Sequence, residues 1–225
     1  MTTASVPRRA PTPEGSRRAP VQERSRQTVT RILDAAAAIA DEQGVDAATT
    51  RAIADRAGVS YPSLYRFFAD RDAILDELLE RHCAELDARC MEAERTWTIN
   101  SAAELINNEL DLHVLYYRLH PGSARLWMGG RTSATVTKHV RARMKTLADR
   151  IHQILVAADL IPADTDPRTM LVAVEMADRV LELSFRHSTE SGAEGDTAEF
   201  DPDVLDIGRR ALNAFASDLS RRRPT

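Results

Sequence analysis

A chain of 225 residues with 43% hydrophobic side chains can build a real core and has room for two small domains. Its formal net charge of -4 excludes a nonspecific polycation that coats nucleic acid. Cys83 and Cys90 make no disulfide framework. No apolar run is long enough to span a bilayer, and no apolar leader opens the chain, so the expected setting is cytoplasmic.

Residues 1–25 contain Pro7, Pro11, Pro13 and Pro20 without apolar periodicity, and read as a disordered arm. Its arginines (Arg8, Arg9, Arg17, Arg18, Arg24) outnumber Glu14 and Glu23, so it is either a solvated tail or a basic arm that reaches phosphates. From Arg26 a helical period begins: Val29, Ile32, Leu33, Ala36, Ile39 and Ala40 form one stripe, and Gly44 ends it. Thr49 or Thr50 then caps a short helix with Ile53 and Ala54 inward, stopped by Gly58. A third helix starts at Tyr61. A fourth starts near Arg71 and repeats Ile74, Leu75, Leu78, Leu79 and Leu86.

Five further segments keep the helical period. Residues 101–120 are apolar nearly all round, as in a central helix. A short piece after Pro121-Gly122 holds Leu126, Trp127 and Met128. Residues 132–159 are amphipathic through Val136, Val140, Met144, Leu147, Ile151 and Leu155. A helix over 168–187 and a last one over 202–221 flank an acidic loop at 188–200. Strand alternation is absent, so the expected fold is all-α with about nine helices: one helical unit at 26–86 and a second at 87–225.

The informative stretch is 49–71, which reads helix, tight turn, helix. Gly58 supplies a positive-φ stop, Val59 plugs the turn, Ser60 caps the next helix, and Pro62 is tolerated in its first turn. Ile53, Ala57, Val59, Leu64 and Phe68 share the inner face, because helices this short cannot persist alone. Outward lie Tyr61, Ser63, Tyr65 and Arg66 on a helix of barely two turns, suited to a major groove, with Arg66 able to address a guanine edge. Thr50, Arg51, Tyr65 and Arg71 suit phosphates, which set register without reading bases. Residues 26–86 hold seven arginines against eleven acids, so most acids must face away from DNA.

The Thr-x-Arg-x-Ile-Ala lead, the Ala-Gly-Val-Ser turn, Leu-Tyr-x-x-Phe and the following Asp-Arg-Asp-Ala-Ile-Leu helix start resemble the DNA-binding domain of the tetracycline-repressor family over residues 26–86. The resemblance implies a homodimeric regulator, most simply a repressor, whose last two helices pair as a four-helix bundle. It places Thr50, Arg51, Tyr61, Pro62, Ser63, Tyr65 and Arg71 on positions that contact double-stranded DNA, expected to carry an inverted repeat; Thr49, Ser60, Arg66 and Phe67 complete the candidate DNA-binding set. Phe67 departs from the pattern. The family commonly has a phosphate-touching histidine there, and phenylalanine can only pack on the fourth helix or meet a thymine methyl.

In the C-terminal unit the apolar arc of 168–187 is too wide for one partner, implying its own core on one side and a symmetry mate on the other. In the last helix Gly208, Ala211, Ala214 and Ala216 let another helix come close, in the same chain or in a second copy. Asn108, His113, Tyr116, Tyr117, Trp127, Met128, Met176 and Phe185 are candidates for an apolar, partly aromatic cavity taking a small-molecule effector. Asp178 either meets a cationic ligand there or is a solvated edge residue. Glu109 and His113 have metal-ligand spacing, but two ligands make no site; no metal or cofactor is expected. An all-α enzyme lacks support, since no paired Glu-x-x-His, phosphate-cradling glycine loop or nucleophile motif occurs. A helical hairpin serving a protein partner is the remaining alternative.

Overall fold

The computed structural model describes residues 15–128, 134–190 and 200–221. Among them are nine α-helices, one 3-10 turn and no strand. In chain order the helices are α1 (Gly15–Gln43), α2 (Thr50–Ala57), α3 (Tyr61–Tyr65), α4 (Arg71–Glu94), α5 (Ala102–Leu119), α6 (Pro121–Met128), α7 (Ala134–Ala157), α8 (Arg168–Glu190) and α9 (Pro202–Arg221), with the 3-10 turn at Val45–Ala47. None is long and apolar enough to cross a membrane.

The arm expected over 1–25 overlaps α1, which starts at Gly15; residues 1–14 lie outside the described residues. The apolar stripe begins only at Val29, but the residues just before it are mostly good helix formers. The helix therefore extends beyond the part that the core needs. The caps at Thr49 and Ser60 are those expected, and Asp70 adds a third. Thr49 accepts from the Ala52 amide at 3.2 Å, Ser60 from Ser63 at 3.3 Å, and Asp70 from Ala73 at 2.8 Å.

Two apolar clusters divide the chain. The first joins α1, α2, α3 and the N-terminal half of α4 through fully buried Ile32, Ile53, Leu64, Ile74 and Leu78. The second joins the rest of α4 to α5 and α7–α9, around Leu86, Leu105, Leu155, Met170 and Leu212. α5 is buried on most faces, as its composition implies, but Leu115 and Leu119 near its end are 54% and 59% exposed.

The short α6 touches both clusters. Leu126 belongs to the N-terminal core, Met128 to the C-terminal one, and Trp127 packs against each. Its first turn sits on α1: the Gly122 amide donates to Asp41 Oδ1 at 2.7 Å. A Cβ on Gly122 would lie 2.8 Å from both the carbonyl carbon and the Cβ of Ala40, so only glycine allows this approach.

α8 packs between α7 and α9 of the same chain, which accounts for most of its wide apolar arc. Gly208 is part of that intrachain contact: a Cβ there would meet Val180 Cγ1 at 2.3 Å. The small residues of α9 thus divide. Gly208 and Ala216 face inward, while Ala211 and Ala214 are exposed beside Ile207, at 59% exposure. Val172 and Leu183 on α8 are also exposed, at 49% and 42%.

Candidate nucleic-acid interface and cavity

α2 and α3 meet at a tight turn because Gly58 adopts a left-handed conformation (φ 63°, ψ 38°). The Val59 amide returns to the Ala54 carbonyl at 3.1 Å, and Val59 packs on the N-terminal core. The first turns of the two helices are also tied side by side. The Tyr61 hydroxyl lies 3.1 Å from Thr50 Oγ1 and 3.1 Å from the Tyr65 hydroxyl, with the tyrosine rings edge to face at 4.9 Å. Both rings stay nearly half exposed, forming a polar-tipped aromatic ridge.

Arg51, Pro62 and Arg66 are exposed around this ridge, while Ser63 and Thr50 are half-buried. The regular helix is shorter than the two turns expected: α3 is Tyr61–Tyr65, and Arg66 is its C-terminal cap. The Arg66 guanidinium lies over the Phe67 ring, 5.8 Å from its centre. Phe67 is half-buried against the N-terminal core. Its position agrees with packing and orients Arg66 from behind.

Arg71 has a different setting from the one expected. Its Nε donates to the Ala48 carbonyl at 2.9 Å and its Nη2 to the Val45 carbonyl at 2.6 Å, with Asp46 at 3.8 Å. It braces the connection between α1 and α2. Other charges are also paired within the unit: Arg56 with Glu42 at 2.5 Å and Arg81 with Asp34 at 2.6 Å. This leaves Arg51 and Arg66 as the exposed cations beside the tyrosine ridge. Arg71→Ala should remove the side-chain donor to the Ala48 carbonyl, leave the Val45 carbonyl with the Ala48 amide alone, and lower stability by about 1–3 kcal/mol. Urea unfolding checks this, and an unchanged midpoint would return Arg71 to the role of a phosphate contact.

Between α5, α7 and α8 lies an open-mouthed cavity. α5 contributes Ile106, Glu109, Leu110, His113 and Tyr117; α7 contributes Arg143, Met144, Leu147 and Ile151; α8 contributes Met170, Ala173, Val174, Ala177, Asp178 and Leu181. Of the eight cavity candidates named from sequence, His113 and Tyr117 line it, and so does Asp178. Asn108, Met128 and Met176 do not. Tyr116 turns to α4, its hydroxyl 2.8 Å from His82 Nδ1. Phe185 faces Phe200 with ring centres 5.9 Å apart. Trp127 stands behind the wall: its Nε1 donates to Asp178 Oδ1 at 2.9 Å, and Arg143 lies 5.7 Å over its ring.

Asp178 is therefore no solvated edge residue. Burial raises its pKa, opposed by the Trp127 hydrogen bond. Burial also holds His113 down at about 4 and pushes Glu109 up to about 8, the latter helped by the neighbouring Glu94 carboxylate. Near neutral pH the wall thus carries a neutral imidazole and a largely protonated Glu109. Arg143 is half-buried and paired with Asp87, Nε to Oδ2 at 2.9 Å. The cavity is apolar with a polar end. Sequence reasoning sought aromatic residues and missed α7 altogether. The signal was the recurrence of Arg143, Met144, Leu147 and Ile151 at helical spacing, which periodicity alone assigns to plain core.

A family model described as bacterial regulatory proteins, tetR family, matches residues 32–78, within the N-terminal cluster. Over 187 residues the chain is 29% identical to the tetracycline repressor protein class A from transposon 1721 of Escherichia coli, spanning 82% of this chain and 79% of that protein. It is 42% identical over 67 residues to the HTH-type transcriptional repressor KstR of Mycobacterium tuberculosis, a likeness covering 30% of each chain. Among solved structures it is similar to a TetR-family transcriptional regulator from Streptomyces coelicolor. That match has a TM-score of 0.62 and 29% identity, covering 85% of this chain and 99% of the other. The regulator FadR from Bacillus subtilis, in complex with stearoyl-CoA, matches with a TM-score of 0.61 over 84% of this chain and 97% of the other. Its 16% identity makes this a likeness of fold.

Proposed function

The chain belongs to the tetR family of bacterial regulatory proteins, and from that premise we propose that it is a repressor released from an inverted-repeat operator by a small, largely apolar effector. DNA is met by the ridge of Tyr61 and Tyr65 with Arg51 and Arg66 beside it. Thr49, Thr50, Ser60, Pro62 and Ser63 shape the approach, and Phe67 supports Arg66. Two copies associate through the exposed faces of α8 and α9, which sets two ridges against successive major grooves.

The observation that carries this reading is the position of α6. Its C-terminal end is bonded to the cavity wall through Trp127 and Asp178, and its N-terminal end is seated on α1 through Gly122 and Asp41. An effector that displaces Asp178 or the neighbouring α8 wall acts on α6, and α6 acts on the DNA-binding unit. α4 runs between the two clusters and is the second link. Linkage requires that effector and operator each weaken the other's binding by one common factor.

The test is a gel-shift assay with DNA flanking the gene. Specific retardation of a fragment with an inverted repeat is expected. Arg66→Ala should cost about 1–3 kcal/mol and relax base choice, while Arg51→Ala should weaken all sequences alike and flatten the salt slope by about one unit. The reverse pattern would exchange their roles. Failure to prefer any flanking fragment over random DNA would favour the alternative in which the hairpin serves a protein partner.

A further inference from the structure

Two residues of the cavity wall belong to a group of side chains that an apolar effector does not use. Cys90 on α4 and Glu109 and His113 on α5 are all buried, and a ligand atom of each lies within 4.8 Å of the others. Glu109 is 5% exposed, and its carboxylate oxygens lack a well-formed hydrogen bond although the Glu94 carboxyl and the Cys90 thiol stand beside them. A buried carboxyl in that state calls for a partner, because an unsatisfied polar group costs its full desolvation penalty. Arg150 Nε is paired with Glu94 at 2.8 Å, while its Nη2 is without a hydrogen-bond partner.

His113 stands beside the Glu109 carboxyl, Nδ1 to Oε2 at 3.9 Å. Its Nδ1 donates to the Glu109 carbonyl at 2.7 Å, which assigns the proton to Nδ1 and leaves the lone pair on Nε2. The i,i+4 spacing that falls short as a pair becomes a triad once the fold brings Cys90 across from α4.

We propose that Cys90, Glu109 and His113 bind a borderline-soft divalent metal ion, with zinc as the representative, and so join α4 to α5 at the polar end of the cavity. A sulfur, an imidazole and a carboxylate form a donor set of the zinc kind, whereas magnesium and calcium take oxygen alone. A thiolate and a carboxylate offset the two charges of the ion, so the filled site adds no net charge to the buried wall. Three protein ligands leave a fourth position for water. The ion displaces the thiol proton and any proton on the carboxyl, and both leave to solvent. Because α4 starts in the DNA-binding unit, the ion fixes where that helix enters the sensing unit. The site itself stands on geometry and does not depend on the chain binding DNA.

Cobalt(II) is the probe, added to the untagged full-length chain after chelator treatment. Binding of one equivalent with a sulfur-to-cobalt charge-transfer band in the near ultraviolet is expected, and zinc should abolish the band by displacement. Cys90→Ser should lose the band, while Cys83→Ser keeps it; Glu109→Gln and His113→Gln should each weaken cobalt binding in equilibrium dialysis. Far-UV circular dichroism verifies that each variant is folded. No charge-transfer band in the wild-type chain overturns the proposal whatever the variants do. A band retained in folded Cys90→Ser overturns it equally.

Discussion

Ala211→Glu should convert the protein to a monomer and reduce operator affinity by about 100-fold or more, since the second ridge then no longer binds as part of one molecule. Ala211 is exposed in the protomer, next in the outward row after Ile207 and before Ala214. A carboxylate there is harmless to the isolated subunit. In a helix-to-helix seam it is an unpaired buried charge, which association cannot tolerate. Gly208→Ala is the contrasting change. Its Cβ would press on Val180, 2.3 Å from Cγ1 and 2.5 Å from Cγ2. A helical valine has one strongly preferred rotamer, so it cannot swing aside. That variant should lose about 1–3 kcal/mol of subunit stability. Sedimentation velocity and thermal unfolding distinguish the two. An Ala211→Glu protein that stays dimeric at micromolar concentration moves the interface away from α9.

Gly122→Ala should unseat α6 from α1. The added methyl would approach backbone as well as side chain of Ala40 at 2.8 Å, and backbone inside a helix does not yield cheaply. A loss of about 1–3 kcal/mol is expected from overpacking, with the Gly122–Asp41 hydrogen bond weakened as the helices part. The effect should go beyond stability, because α6, like α4, belongs to both apolar clusters. Effector binding should persist, as the cavity lies among α5, α7 and α8. The factor by which effector lowers DNA affinity should shrink toward one. Paired titrations, effector with and without operator and operator with and without effector, measure that factor in both directions. Wild-type coupling in Gly122→Ala would assign transmission to α4 alone.

The helix-turn-helix is legible in sequence because its chemistry is local. A glycine at positive φ, a capping serine and a proline in the first turn act within a few residues of themselves. The number of helices and their approximate bounds are legible for a related reason: each buries a stripe of fixed period.

Which side chains share a space is another matter. Tyr116, Phe185 and Met176 are as apolar and as periodic as Tyr117, and only packing turns Tyr117 into the cavity while Tyr116 meets His82. Arg71 reads as a free cation until the fold brings the Ala48 and Val45 carbonyls to it across more than twenty residues. Gly208 and Ala211 look alike in a list of small residues, yet three positions along a helix place one against Val180 and the other in the open. Asp178 and Trp127, 51 positions apart, have no local signal for their bond, and Cys90 has none for joining Glu109 and His113. Local backbone chemistry and periodicity are properties of neighbouring residues and are written in the sequence. The cavity, the α6 dock and the buried triad depend on distances between helices, which only the packed chain sets.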